Sequence, residues 1–366
     1  MRSRLVFALL VLFALLPLGT ACNSSPPAPL SGPLAQALTM VPATATEFGF
    51  TDWALIKAYL GASDLTGQSS VEERRQFMSA YSLGPAPAAN YVGSAYVQHV
   101  ELWGWESADL VWEASGMVAE SPIWILRFRD DFDFASLLAR FAERGFSESE
   151  YRGVTIYSHE KSYKLDWIIN DSILNTAVLT EDKLLILSRE LDNVHDVLAA
   201  YQGEITALGE ERNVQATAGQ LGEVAAVIIV PSSSTNVCPS VSIGILQRLP
   251  PEIASRASEA VQGITLHRFN TLGVGYRYEQ GRPLGLIVMH YTNAGDARSD
   301  LEPRRKLAAE GPSLARRTAF YSDYFTVEEA TVEGTDLVLK LRPAQDKPKH
   351  LFTMLANRDM LFAACP

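Results

Sequence analysis

Cysteine is scarce in this chain of 366 residues, with three in all, and histidine occurs only six times. So few ligands leave little room for a metal centre. No two histidines stand four apart and none joins a His-Glu-x-x-His run, so metalloprotease spacing is absent. Two cysteines without histidines at matching spacing do not complete a structural zinc site. Basic residues are also in deficit. Lys and Arg number 31 against 42 Asp and Glu, giving a formal charge of -11 and a pI near 5.1. Nucleic-acid binders concentrate positive charge, so that class of partner is set aside. Beyond the first two dozen residues no charge-free apolar run reaches the ~20 residues of a membrane-spanning helix. The 24 glycines and 19 prolines follow no collagen period, and an apolar fraction of 47% excludes a wholly disordered chain. The length suits about two domains, each able to bury a core.

What is present begins with an export signal. Arg2 and Arg4 precede the apolar run from Leu5 to Leu16, which leads into Pro17-Leu18-Gly19-Thr20-Ala21-Cys22. A positive start, a short apolar stretch and a small-residue end are the parts of a secretory signal peptide. The Thr20-Ala21-Cys22 ending resembles that of bacterial lipoproteins, with Leu18 four places before the cysteine and Gly19 in the place where a large apolar residue is usual. The resemblance implies that Cys22 is diacylated and becomes the mature N-terminus. Ordinary cleavage after Ala21 is the alternative. Asn23 to Pro29 is Ser/Pro-rich and suits an extended spacer. Loss of Arg2 and Arg4 takes the formal charge from -11 to -13. Anionic headgroups repel such a body, so the expected membrane attachment is the lipid anchor. The expected location is therefore the bacterial cell envelope, outside the cytoplasm.

Export also bears on the other two cysteines. Cys238 and Cys365 are an even pair in a compartment where disulfides persist. A bond between them would close a loop of more than a hundred residues, worth about 4 kcal/mol in the chain-entropy account. Two buried thiols are the alternative.

The folded part reads as α+β: two tandem units of antiparallel sheet with helices packed on one face. The division is signal peptide 1–21, linker 22–33, a first unit over 34–205 and a second over 206–366. In the first unit, helical spacing covers 34–40, 53–60, 71–81, 134–143 and 193–201. Apolar strands fall at 46–50, 95–103, 110–114, 123–128, 154–158, 167–170, 175–179 and 183–188. Asp52 and either Asp131 or Asp133 stand where helix caps belong. In the second unit, strands at 224–230, 268–278, 284–291, 325–332, 337–341 and 360–364 alternate with helices at 243–249, 252–261, 297–309 and 350–355. Glu279-Gln280-Gly281-Arg282 marks a hairpin. Internal duplication is suggested by the shared order and by two echoes. Ala142-Glu143-Arg144-Gly145 resembles Ala309-Glu310-Gly311, and Val178–Leu185 resembles Met354–Leu361. The layout resembles uncharacterised exported bacterial proteins built from repeated antiparallel sheets.

Motifs of catalysis are missing. There is no Gly-x-Ser-x-Gly elbow and no Walker sequence. Ser158-His159-Glu160-Lys161 matches Ser-x-x-Lys, but it leaves a strand for a polar turn, and neither Ser-Asp-Asn nor Lys-Thr-Gly accompanies it. Leu272-Gly273-Val274-Gly275 lies in a strand pattern, where glycine marks close packing rather than phosphate binding. Arg129–Asp133 lacks the calcium loop's glycine and terminal glutamate. The functional hint is aromatic. Trp103 and Trp105 share one face if they lie on a strand, and Trp112 and Trp124 follow on neighbouring strands. An exposed row would bind a partner or a sugar; a buried row would fill the core. Tyr321, Tyr324 and Phe325 pose the same choice. The expectation is a non-catalytic envelope lipoprotein, without cofactor or metal, that binds an envelope protein or component. Its rivals are a small-solute carrier with a cleft between the units, and an enzyme with an unrecognised site.

Overall fold

Phe48–Asp52, Leu184–Ser188 and Ala226–Val230 are buried at every position. A strand with no exposed side needs structure above and below it, and all three lie inside one sheet. The computed structural model describes residues 30–83, 103–159, 175–232, 234, 249–345, 347 and 350–365. The twelve strands among them are β1 (Phe48–Asp52), β2 (Leu110–Val118), β3 (Ser121–Phe128), β4 (Ser147–Tyr151), β5 (Val154–Ser158), β6 (Asn175–Leu179), β7 (Leu184–Ser188), β8 (Ala226–Val230), β9 (Phe269–Glu279), β10 (Arg282–Tyr291), β11 (Phe325–Glu333) and β12 (Asp336–Pro343). The helices are α1 (Gly32–Leu38), α2 (Trp53–Tyr59), α3 (Val71–Leu83), α4 (Phe134–Glu143), α5 (Leu191–Tyr201), α6 (Arg212–Leu221), α7 (Pro251–Ala260), α8 (Ala294–Glu310) and α9 (His350–Ala356).

All strands join one antiparallel sheet in the order β11-β12-β10-β9-β8-β1-β2-β3-β7-β6-β5-β4. The two units meet at its centre, where β1 pairs with β8 in the register Phe48↔Ile229 to Thr51↔Ala226. Outward from this seam, β2, β3, β7 and β6 are matched by β9, β10, β12 and β11, and the first unit adds the β4–β5 hairpin at its edge. The α+β class and the antiparallel sheet agree with the sequence reading. The units are halves of one sheet, and each strand described next sends alternate side chains into cores on its two faces. On β8, Val227 and Ile229 join the core under α1, α5 and α6, whereas Ala226, Ile228 and Val230 join the core under α7, α8 and α9. On β3, Ile123 and Ile125 face the first of these, and Trp124, Leu126 and Phe128 face a third under α2, α3 and α4. A second helical layer thus covers the face opposite the first.

Local chemistry explains the elements read most accurately. Helix α4 occupies the expected 134–143, with the Asp133 carboxylate accepting from the Ala135 N–H at 2.9 Å and Phe134, Leu137 and Phe141 buried. The β9–β10 hairpin turns on Gln280 and Gly281, both at positive φ (54° and 68°), the backbone a two-residue turn of this hand requires. Three expectations are corrected. Trp103 is not on a strand, and 95–102 lie outside the described residues, as do 167–170 and 243–248. Met360–Ala364 is not a strand but carries a 3₁₀ turn at Leu361–Ala363. The echo of Val178–Leu185 in Met354–Leu361 joins unlike elements: a hairpin between β6 and β7, and a helix end running into that turn. The other echo ends equivalent helices, α4 and α8.

Candidate functional site

The tryptophans settle first. Trp103, Trp105 and Trp112 are each 1% exposed and Trp124 is 9% exposed, so the four are core residues and form no partner surface. Trp103 packs edge-on to Phe146 and beside Phe141, Trp105 packs edge-on to Phe128, and Trp112 lies against Phe50. Gly104, at a φ of 78°, separates the first two, so the strand that would have put them on one face does not exist there. Tyr321, Tyr324 and Phe325 are buried as well. The large apolar side chains left exposed among the described residues are Val71, Leu191, Ile205 and Phe320, and no two of them are neighbours in sequence.

The polar motifs also resolve into structure. Asp133 caps α4, and Ser158 donates to the Asn175 side chain at 2.9 Å; Lys161 lies outside the described residues. A Cβ on Gly273 would stand 2.6 Å from the Thr217 methyl of α6, which is the close packing expected of a strand glycine. No group of three metal-ligating side chains is found among the described residues. His290 and Asp336 meet at 2.6 Å on adjacent strands, and Thr271 is His290's neighbour on β9. The Thr271 hydroxyl is buried without a hydrogen-bond partner, so it is not engaged by that imidazole. Cys22 and Cys238 lie outside the described residues. Cys365 is buried in the second unit's core.

Clefts of about 450, 400 and 390 Å³ are found among the described residues, and the first lies at the seam of the two units. The first unit and its leading segment supply Leu30 to Ala35, Phe50 and Asp52; the second supplies Ala218, Gly219 and Gly222 to Val224. Three element ends converge here: the start of α1, the last turn of α6, and the end of β1 at Asp52. Phe50, Leu34, Ala218 and Val224 are buried in its apolar floor, while Ser31, Gly32, Gly219, Gly222 and Glu223 form an exposed rim. A Cβ added at Gly32, Gly219 or Gly222 would meet nothing within 4 Å, so these rim positions face open space. Sequence reasoning saw Asp52 only as a helix cap. It is one, accepting from the Leu55 N–H at 2.9 Å, yet it also lines the cavity. No local signal carries the second role, because the chain at 218–224 reaches the cavity only through tertiary folding.

Burial pushes the Asp52 carboxyl up to about 6; Glu223 adds to the rise, while the helix N–H groups and Lys57 oppose it. Lys57 is brought down to about 8, mainly by burial, and its ammonium donates to the Ala108 and Leu110 carbonyls at 2.9 and 3.1 Å. A raised carboxyl means that the folded protein holds the proton more tightly than the unfolded chain. The stability contributed by protonation is full below the unfolded value of 3.8 and is lost as pH rises through about 6. Asp52→Asn keeps the cap, since Asn serves as well as Asp there. The variant is expected to be about 1–3 kcal/mol more stable than wild type at neutral pH, with the gap closing near pH ~4. Urea unfolding at the two pH values checks this, and a gap independent of pH would refute it.

No family model matches the chain, and no curated protein matches it. Among solved structures, crystal form IV of TP0453 is similar at 9% identity, covering 87% of this chain and 96% of that one with a TM-score of 0.43. Crystal form I of TP0453 is similar at 9% identity over 88% and 97% of the two chains, with a TM-score of 0.40.

Proposed function

We propose that the protein is a non-catalytic, lipid-anchored protein of the bacterial cell envelope that holds a small ligand between its two units. The cavity at the β1–β8 seam carries this reading, because residues of both units wall an apolar floor beneath an exposed rim. Its volume lies in the range of small-molecule sites, which favour junctions of this kind. Burial of Trp103, Trp105, Trp112 and Trp124 removes the surface on which binding of a larger envelope partner rested. Anchoring through Cys22 rests on the leader and the Ser/Pro spacer. Leu30, which directly follows the Ser/Pro-rich stretch in the sequence, lines the cavity. The pairing of Cys365 with Cys238 rests on the even pair of cysteines that remains in an exported chain once Cys22 is set aside.

Native mass spectrometry of the full chain, exported by its own host and released from nanodiscs, tests the ligand. A small adduct lost on denaturation is expected, and it should be absent from Gly219→Leu, which places a side chain in the open rim. A bare mass in both forms would sink the ligand reading. Cys22→Ser should leave the membrane fraction; retention through a high-salt wash would sink the anchor. Peptides from the same preparation, digested without reductant, should link Cys238 to Cys365.

A further inference from the structure

We infer that the outer edge of β4 takes up an extended segment of another protein as a further strand, with Lys or Arg at alternate positions. The inference stands apart from the seam cavity. Among the described residues β11 and β4 end the sheet, and the two ends are finished differently. The β11 edge is blunted. Its register slips between Val327 and Glu329, and Glu328 and Glu329 are tied back to Arg342 and Lys340 of β12. β4 has no such device. It runs in unbroken register with β5, from Ser147↔Ser158 to Tyr151↔Val154, and contains no Pro, Lys or Arg. The turn of this hairpin fixes which backbone groups face outward. Arg152 and Gly153, at φ of 53° and 80°, make a two-residue connection, so the flanking Tyr151–Val154 pair is the hydrogen-bonded kind and the pairs then alternate. Ser149 and Ser147 thus direct their N–H and C=O groups to β5, while Glu148 and Glu150 direct theirs away from it. The side chains of Glu148 and Glu150 share one face of the strand, and both residues are exposed. Neither is ion-paired among the described residues, and the nearby Arg152 is paired with Glu204. These charges decide the occupant. In a second copy of the chain, full antiparallel overlap would set Glu148 against Glu150, and like charges directly opposite repel. A strand with a basic residue opposite each glutamate meets both charges and the outward backbone groups together.

The probe is a fluorescein-labelled Thr-Lys-Thr-Lys-Val-Lys-Thr peptide, titrated into the full chain in phosphatidylcholine nanodiscs, with empty discs as blank. A peptide of the same composition with its lysines contiguous is the control. The alternating peptide should bind about tenfold more tightly, and a version with glutamate for lysine should not bind. At saturation the Glu148 and Glu150 amides should gain protection from hydrogen exchange, whereas those of Ser149 and Tyr151 are protected beforehand. Glu148→Gln combined with Glu150→Gln should weaken binding about tenfold while leaving the hairpin intact. Glu150→Pro removes an outward N–H and keeps the ladder to β5, so it should weaken binding more than Glu150→Gln does. Gly219→Leu should change nothing, which separates this edge from the seam cavity. Equal binding of the two lysine peptides, or binding without protection at Glu148 and Glu150, would overturn strand addition. Undiminished binding by the double Gln variant would overturn the glutamates as the selecting charges. Protection of these amides in peptide-free protein that sediments as a dimer would overturn the basic partner in favour of a second copy. No binding of the alternating peptide would overturn the inference outright.

Discussion

Replacing Arg304 by Met is expected to cost about 3–5 kcal/mol of stability, the range for removing one partner of a buried ion pair. Arg304 and Asp300, one turn apart on α8, are both fully buried. The guanidinium donates from Nε to Asp300 at 2.9 Å and to the Tyr291 hydroxyl at 2.6 Å, from Nη1 to the Phe362 and Ala364 carbonyls, and from Nη2 to the His267 carbonyl. Asp300 in turn accepts from the His267 backbone N–H, faces the His267 Nδ1 at 2.7 Å and accepts from Tyr291. One side chain therefore ties together α8, β10, the segment before β9 and the C-terminal 3₁₀ turn. Met fills much of the volume but leaves a buried carboxylate and three carbonyls without their donor. Adding Asp300→Asn to Arg304→Met should recover part of the loss, because the stranded charge is the larger cost. Urea unfolding of the single and double variants measures both. A single variant within about 1 kcal/mol of wild type would show the network to be dispensable.

The same network explains why Met360–Ala364 misleads as a sequence. Met-Leu-Phe-Ala-Ala has the apolar run of a buried strand, and its residues are buried. Its carbonyls at 362 and 364, however, are taken by Arg304 rather than by a neighbouring strand, and nothing local in the run announces that donor. Elements defined by their own chemistry were legible: α4 with its Asp133 cap, β5 and β6 with their short apolar runs, and the Gln280-Gly281 turn. Two elements were missed for opposite reasons. Strand β4, Ser147–Tyr151, is exposed at four of its five positions and is held by backbone pairing to β5, so it has no apolar pattern to read. Helix α6 buries Val214, Thr217, Ala218 and Leu221 at helical spacing, but small residues mute the signal. That omission also hid the site, since the end of α6 forms one wall of the cavity.

Whether a tryptophan is core or surface is a question that spacing leaves open and energetics answers. Trp112→Ala is expected to lower stability by about 3–5 kcal/mol, through lost transfer energy and a cavity that rigid sheet neighbours cannot close. Trp112 stands directly across from Asp52 in the β1–β2 ladder, and its ring lies 6.2 Å from that of Phe50, which floors the seam cavity. Truncation should therefore remove support from beneath the site as well as from the core, and ligand retention should fall with stability. Trp112→Phe keeps an aromatic ring on Phe50 and should lose distinctly less of both. A tryptophan serving a partner on the surface would behave in the reverse way, with unfolding changed by no more than about 0.5 kcal/mol and only association affected. Urea midpoints at a constant slope, read beside the native adduct, distinguish these. An Ala variant as stable as wild type would return Trp112 to the surface and with it the larger envelope partner.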